Sequence, residues 1–132
     1  MAEFGAGSIG KLEYTLTAAA NFSTFDIQYR AVTVGSAAAN AGGRTLVCSQ
    51  AGDPIIGILQ NKPGAGEAAA VCFGGISKAM AGAAVTAGDV LRTNAVGCLV
   101  TGNSGYIAGF ALTGVASGGV FTMAVQPGQA TA

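Results

Sequence analysis

A chain of 132 residues is the size of one domain, with material for one hydrophobic core and too little for two. Hydrophobic residues make up 51% of it and charged residues 9%, against about 25% charged in a typical globular domain, so the surface must be built largely from Ala, Gly, Ser and Thr. Six basic and six acidic side chains cancel, and the basic ones stand singly; this excludes the phosphate-binding stripe of a nucleic-acid protein and leaves no net repulsion to oppose self-association.

At the start of the chain, Met1-Ala2-Glu3-Phe4-Gly5 places an acid where a secretory signal carries bases, and no apolar run follows. The expectation is a soluble protein synthesised in a reducing cytoplasm, with no membrane contact. Gly5-Ala6-Gly7-Ser8-Ile9-Gly10 matches G-x-G-x-x-G, and Lys11 extends it toward a P-loop, but Leu12 stands where the magnesium-binding hydroxyl belongs. Only four residues precede Gly5, so no strand can lead into the loop. The residues after it alternate: Leu12, Tyr14 and Leu16 fall on one face of a half-buried strand, Glu13, Thr15 and Thr17 on the other.

Residues 1–26 are read as an extended N-terminal arm, because several of the chain's nine aromatics lie there among small and polar residues. Phe4, Ile9, Leu12, Tyr14, Phe22 and Phe25 are its candidate anchors for an interface with another subunit. The same side chains could instead fill the domain's own core, and both readings stand at this point. Asn21-Phe22-Ser23 is a formal glycosylation sequon, without meaning in a protein that is not exported.

Residues 27–132 read as an all-β domain, a compact sandwich or barrel of short strands. The predicted strands are 27–34, 44–48, 55–59, 68–73, 76–80, 90–93, 98–101, 106–112 and 120–125. Asp53-Pro54, Lys62-Pro63-Gly64, Ala87-Gly88-Asp89, Asn94-Ala95-Val96-Gly97 and Gly102-Asn103-Ser104-Gly105 supply turns between them. Ile55-Ile56-Gly57-Ile58-Leu59 is apolar on both faces, as a central strand or one covered by a neighbouring subunit would be. The Ala18-Ala19-Ala20 and Ala37-Ala38-Ala39 runs are too short to nucleate a helix. The spacing of Gly57 and Gly66 equals that of Gly109 and Gly118, which marks either two similar hairpins or chance recurrence in a chain with 22 glycines.

Chemistry is hard to build from what remains. The chain has no His, the commonest general base, and Glu3, Glu13, Asp26, Asp53, Glu67 and Asp89 lie far apart. Asp53, Glu67 and Asp89 sit at predicted turns, where a carboxylate ordinarily caps backbone N–H groups. Cys48, Cys72 and Cys98 are widely spaced within apolar runs, a pattern of small buried hydrophobes and not of a zinc site. The reading is a non-enzyme with no metal and no cofactor. The small apolar run 79–88 is broken by Gly82, Thr86 and Gly88 and is too short for a membrane span of about 20 residues.

Pro54-Ile55-Ile56-Gly57-Ile58-Leu59-Gln60-Asn61, Gly66-Glu67-Ala68-Ala69-Ala70-Val71 and Gly75-Ile76-Ser77-Lys78, in that order, resemble the phage capsid decoration, or cement, protein family. Ala87-Gly88-Asp89-Val90-Leu91-Arg92-Thr93-Asn94-Ala95-Val96-Gly97 is similar to that family's Gly-Asp turn, strand and Gly turn, and Ile107-Ala108-Gly109-Phe110-Ala111-Leu112 to its late strand. The resemblance implies a homotrimer on the outer surface of an icosahedral virion, bound to the major capsid protein, bridging and stabilising capsid subunits. Two other classes stay open: another virion component such as a tail or fibre-base β domain, and an enzyme or small-ligand module.

Overall fold

A computed structural model describes residues 11–19, 22–23, 28–34, 45–48, 51 and 53–129. Among them there is no helix and there are nine strands, as the all-β reading expects: β1 (Lys11–Thr17), β2 (Ala31–Val34), β3 (Thr45–Val47), β4 (Gly57–Leu59), β5 (Ala68–Met80), β6 (Val90–Thr93), β7 (Leu99–Thr101), β8 (Tyr106–Ala111) and β9 (Val120–Gln129). They form one antiparallel sheet in the order β3-β2-β4-β5-β9-β8-β6-β7, with β1 added on β5. The two halves meet again where Ala31 N donates to Gly97 O at 2.7 Å and Arg30 Nη1 to Val96 O at 3.0 Å. The sheet is thereby curled into a nearly closed, barrel-like form.

Two predicted strands, 68–73 and 76–80, are one strand. β5 runs through Gly74 and Gly75 and changes partner there: residues 68–75 pair with β1, residues 75–80 with β9. Gly75 supplies the positive φ, 90°, at the changeover. β1 pairs along its whole length, with a register shift between Leu12 and Glu13. The shift breaks the expected alternation: Leu16 is half-buried, but Leu12 is exposed beside Gly74. Within the segment assigned to an arm, residues 11–18 and 22 are thus tied to the sheet, while its boundary near residue 26 lies outside the described residues.

The strand order is a palindrome about β5 and β9, and hydrogen bonding explains it. The β2-β3-β4-β5 unit is repeated as β6-β7-β8-β9. Ile58 faces Cys72 and Leu59 faces Val71; fifty-two positions on, Phe110 faces Ala124 and Ala111 faces Met123. Ala31 and Val32 pair with Ile58 and Gly57 as Val90 and Leu91 pair with Phe110 and Gly109. Individual bonds recur as well. Gln60 N to Ala70 O becomes Leu112 N to Thr122 O, Leu59 N to Arg30 O becomes Ala111 N to Asp89 O, and Tyr29 N to Leu59 O becomes Gly88 N to Ala111 O. Asn61 Oδ1 accepts from Ala70 N as Thr113 Oγ1 accepts from Thr122 N. The matched glycine spacing in the sequence is the visible trace of this duplication: Gly66 and Gly118 take φ of 81° and 85° in equivalent turns.

Two layers of core follow. The main one fills the barrel with Ala31, Ile58 and Cys72 from the first unit against Leu91, Leu99, Ala111, Phe121 and Met123 from the second. A smaller one lies on the opposite face of the first unit, where Val32, Leu59, Ala69 and Val71 pack under Ala18 and Phe22. The chain after β1 is fixed there by Ala18 N to Glu67 O, Gly66 N to Ala18 O and Phe22 N to Pro63 O. This is why residues 55–59 read as apolar on both sides: β4 is a central strand whose two faces serve two cores of the same chain. The buried hydroxyls are partnered, Ser77 Oγ by Gln60 Nε2 and Lys78 O, Thr93 Oγ1 by Asn94 O.

Candidate functional site

Polar chemistry in the described chain is spent on structure. Glu67 Oε1 accepts from Gly64 N at 2.7 Å, and Asp89 Oδ2 from Thr86 N at 2.9 Å, so both carboxylates cap turns as their positions predict. Cys48, Cys72 and Cys98 are buried. Among the described residues no three His, Cys, Asp or Glu side chains gather where they could hold a metal, and no helix is long and apolar enough to cross a membrane.

One groove is lined by Gly88, Asp89, Val90, Thr101, Gly102 and Asn103. Its carboxylate is already engaged: besides Thr86 N, Thr101 Oγ1 donates to Asp89 Oδ2 at 2.8 Å, and these two bonds hold the Asp89 carboxyl below the ordinary aspartate range. A depressed acid stabilises the fold above its unfolded-state pKa, and that contribution is lost as the pH falls through its folded-state value. Asp89→Asn is expected to lower the melting temperature slightly at pH 7 and not at all in strong acid, where the wild-type carboxyl is also neutral; melts at both pH values check this.

The outside of the second unit is different in kind. Val90, Phe110, Ala124 and Ile76 are successive cross-strand partners on β6, β8, β9 and β5, so they form one row on one face. Val90, Phe110 and Ile76 are exposed and Ala124 is half-buried. Leu112, two residues along from Phe110, and Val120, four residues along from Ala124, are exposed too. The charged groups at neighbouring outward positions turn aside: Arg92 Nη1 donates to Ser104 Oγ at 3.0 Å, and Lys78 Nζ lies 6.0 Å from the Tyr29 ring centroid. An apolar row with drawn-back charges can exclude water against a matching surface, and it holds nothing that could carry out a reaction.

The sequence-derived anchors are distributed otherwise. Phe22 is 5% exposed and fills the smaller core of its own chain. Leu12 is open to solvent on β1, and Tyr14 contributes its backbone to the pairing with Val71. Phe4, Ile9 and Phe25 lie outside the described residues. Sequence reasoning misses the Val90–Phe110–Ile76 row, because its signal is weak: apolar residues at strand positions look alike whether they face a core or solvent. The usable clue is the alternation itself, which in residues 106–112 and 120–125 puts apolar residues on both faces.

No protein-family model matches the sequence, and a search of curated proteins finds no match. Among solved structures the chain is similar in fold to the N base of the head fibre gp8.5 of bacteriophage phi29. The likeness has a TM-score of 0.59 at 17% sequence identity and covers 87% of this chain and 93% of that one, so the whole barrel, and not one hairpin, is shared.

Proposed function

We propose that this chain is a structural protein of a bacteriophage particle that binds the outer surface of an icosahedral capsid as an oligomer, a trimer in our reading, and reinforces the shell by bridging capsid subunits. The observation that carries the proposal is a neutral, glycine-rich barrel with an exposed apolar row, in the same fold as the base of a phage head fibre. The order of motifs that resembles the decoration family supports the capsid partner. Such a role needs no catalytic group, cofactor, nucleic acid or membrane. Its mechanism is avidity: once one subunit of a trimer is bound, the others bind as if intramolecularly, which raises affinity by about 10² to 10⁴. Occupied bridges favour the assembled shell by mass action.

The fold shared with the phi29 protein favours a second reading, in which this chain is itself the base of a head fibre. Native mass spectrometry with co-sedimentation on empty phage shells tests both. A trimer that saturates the shell with many copies and raises the shell's melting temperature is expected. Saturation at a few copies per shell would favour the fibre base, and a strict monomer that leaves shells untouched would overturn both.

A further inference from the structure

We infer that the outer face of β6, β8 and β9, centred on Phe110 and continued by Ile76 of β5, is where a second copy of this chain docks. The internal duplication carries the argument. Position by position, Val90, Phe110 and Ala124 of the second unit are the equivalents of Ala31, Ile58 and Cys72 of the first. Ala31, Ile58 and Cys72 are each 0% exposed, covered by the sheet of the second unit, whereas Val90 is 37% and Phe110 40% exposed. The opposite faces are related in the same way. Val32, Leu59 and Val71 of the first unit lie under Ala18 and Phe22, and their equivalents Leu91, Ala111 and Met123 face the barrel core.

The two units therefore stack front to back, not front to front. Such a stack leaves one front face unused, and it is this one. The back faces of a further copy are already covered, by Ala18 and Phe22 and by its own core, but its Val90–Phe110–Ile76 row is open in the same way, so two copies bury this face by meeting row to row. The residues suit that occupant. A strand position that stays in water is usually polar, yet two of these three positions carry larger apolar side chains than their buried counterparts, Val for Ala and Phe for Ile, and the third carries Ala where the buried one has Cys. The chain's zero formal net charge puts no long-range repulsion between copies.

The inference deepens the reading of the chain as an oligomeric virion protein and rests on its self-association, not on its capsid partner. The test uses the full chain. Phe110→Ser combined with Ile76→Ser is expected to convert the oligomer to monomer in native mass spectrometry at micromolar concentration, weakening association at least about 100-fold, with the β-type circular dichroism retained. Val96→Ser, an exposed apolar position on the β6–β7 turn, should leave the oligomer intact. Hydroxyl-radical footprinting of the unmodified chain provides a second readout if the double variant does not fold: oxidation of Phe110 should slow about ten-fold as the concentration rises through the association range. A double variant that keeps the wild-type oligomer, an unchanged Phe110 rate, or a wild-type chain that stays monomeric overturns the inference. A monomer that still coats shells would sink it while sparing the capsid reading, and an oligomer that assembles through Phe110 but ignores shells would do the reverse.

Discussion

Gly109→Ala is expected to cost about 3–5 kcal/mol, a large share of the domain's stability, whereas Gly88→Ala should cost about 1–2 kcal/mol. Both glycines have positive φ, 141° and 95°, so both substitutions strain the backbone. They differ in what a methyl group would meet. At Gly88 there is nothing within 4 Å, and only the conformational cost remains. At Gly109 the methyl would overlap the carbonyl oxygen of Ala124 on β9 and crowd Gln126 N, which are backbone atoms of the adjacent strand and cannot turn away. The register shift between Ile107 and Gly109 is built on that approach. Gly57 holds the equivalent place against β5, where an added methyl would overlap Cys72 O and Val71 Cγ1, so Gly57→Ala should also fall in the severe class. Urea unfolding followed by circular dichroism measures all three. If Gly109→Ala lost no more than Gly88→Ala, β8 and β9 could not be in such close approach. A domain of this size has only about 7–20 kcal/mol in hand, so the severe pair should also lower soluble yield.

These glycines show how the fold is written in the sequence and where the writing stops. Gly57 and Gly109 are visible as an equal spacing to Gly66 and Gly118, and that spacing is a duplication because the same backbone approach recurs on the same register. The other half of each unit leaves no such trace. β2 and β6 are equivalent strand for strand, yet they read Ala-Val-Thr-Val and Val-Leu-Arg-Thr, since strand pairing requires only hydrogen bonds and a suitable face. Tyr29 hides the equivalence further: at φ 72° it occupies the position of Gly88, where an aromatic residue gives no hint of a left-handed turn. The turn acids Glu67 and Asp89 are legible because a carboxylate before a strand has one common local use. β5 is not legible as one strand because Gly74-Gly75 looks like punctuation and in fact marks a change of partner. Among the anchor residues, sequence could not decide between a ring that docks outward and one that packs inward; Phe22 packs inward because the segment from Ala18 is hydrogen-bonded across the turn at residues 63–67. The exposed row around Phe110 needs the three-dimensional comparison of the two units, since only the fold shows that one front face is covered and the other is not.

The second large effect is alkaline. Cys48 is buried between β2 and the 53–55 segment, its N–H bonded to Ala31 O, and desolvation with the nearby Asp53 charge pushes its thiol from 9.0 up to about 12, against the opposing pull of the Thr93 hydroxyl. Below pH 9 the native and unfolded chains both hold this proton, so Cys48 adds no pH dependence. Between pH 9 and about 12 the unfolded chain has released it while the native chain retains it, so stability falls by about 1.4 kcal/mol per pH unit, on the order of 4 kcal/mol across the window. Wild-type protein compared with Cys48→Ala in urea at pH 8 and pH 10.5 isolates this thiol from the other titrating groups. At pH 8 the variant should be weaker by about 1–2 kcal/mol, because it leaves a small void in the core. By pH 10.5 the wild type should have lost about 2 kcal/mol that the variant never had, so the two curves should converge or cross. Parallel curves would mean that the sulfur ionises in the native state as readily as in water, which is incompatible with a side chain sealed between Ile55, Ile58 and the second unit's sheet. The same burial keeps the thiolate scarce at neutral pH, so Cys48 should resist alkylation until the barrel opens, and its labelling rate then reports the opening of the core that joins the two units.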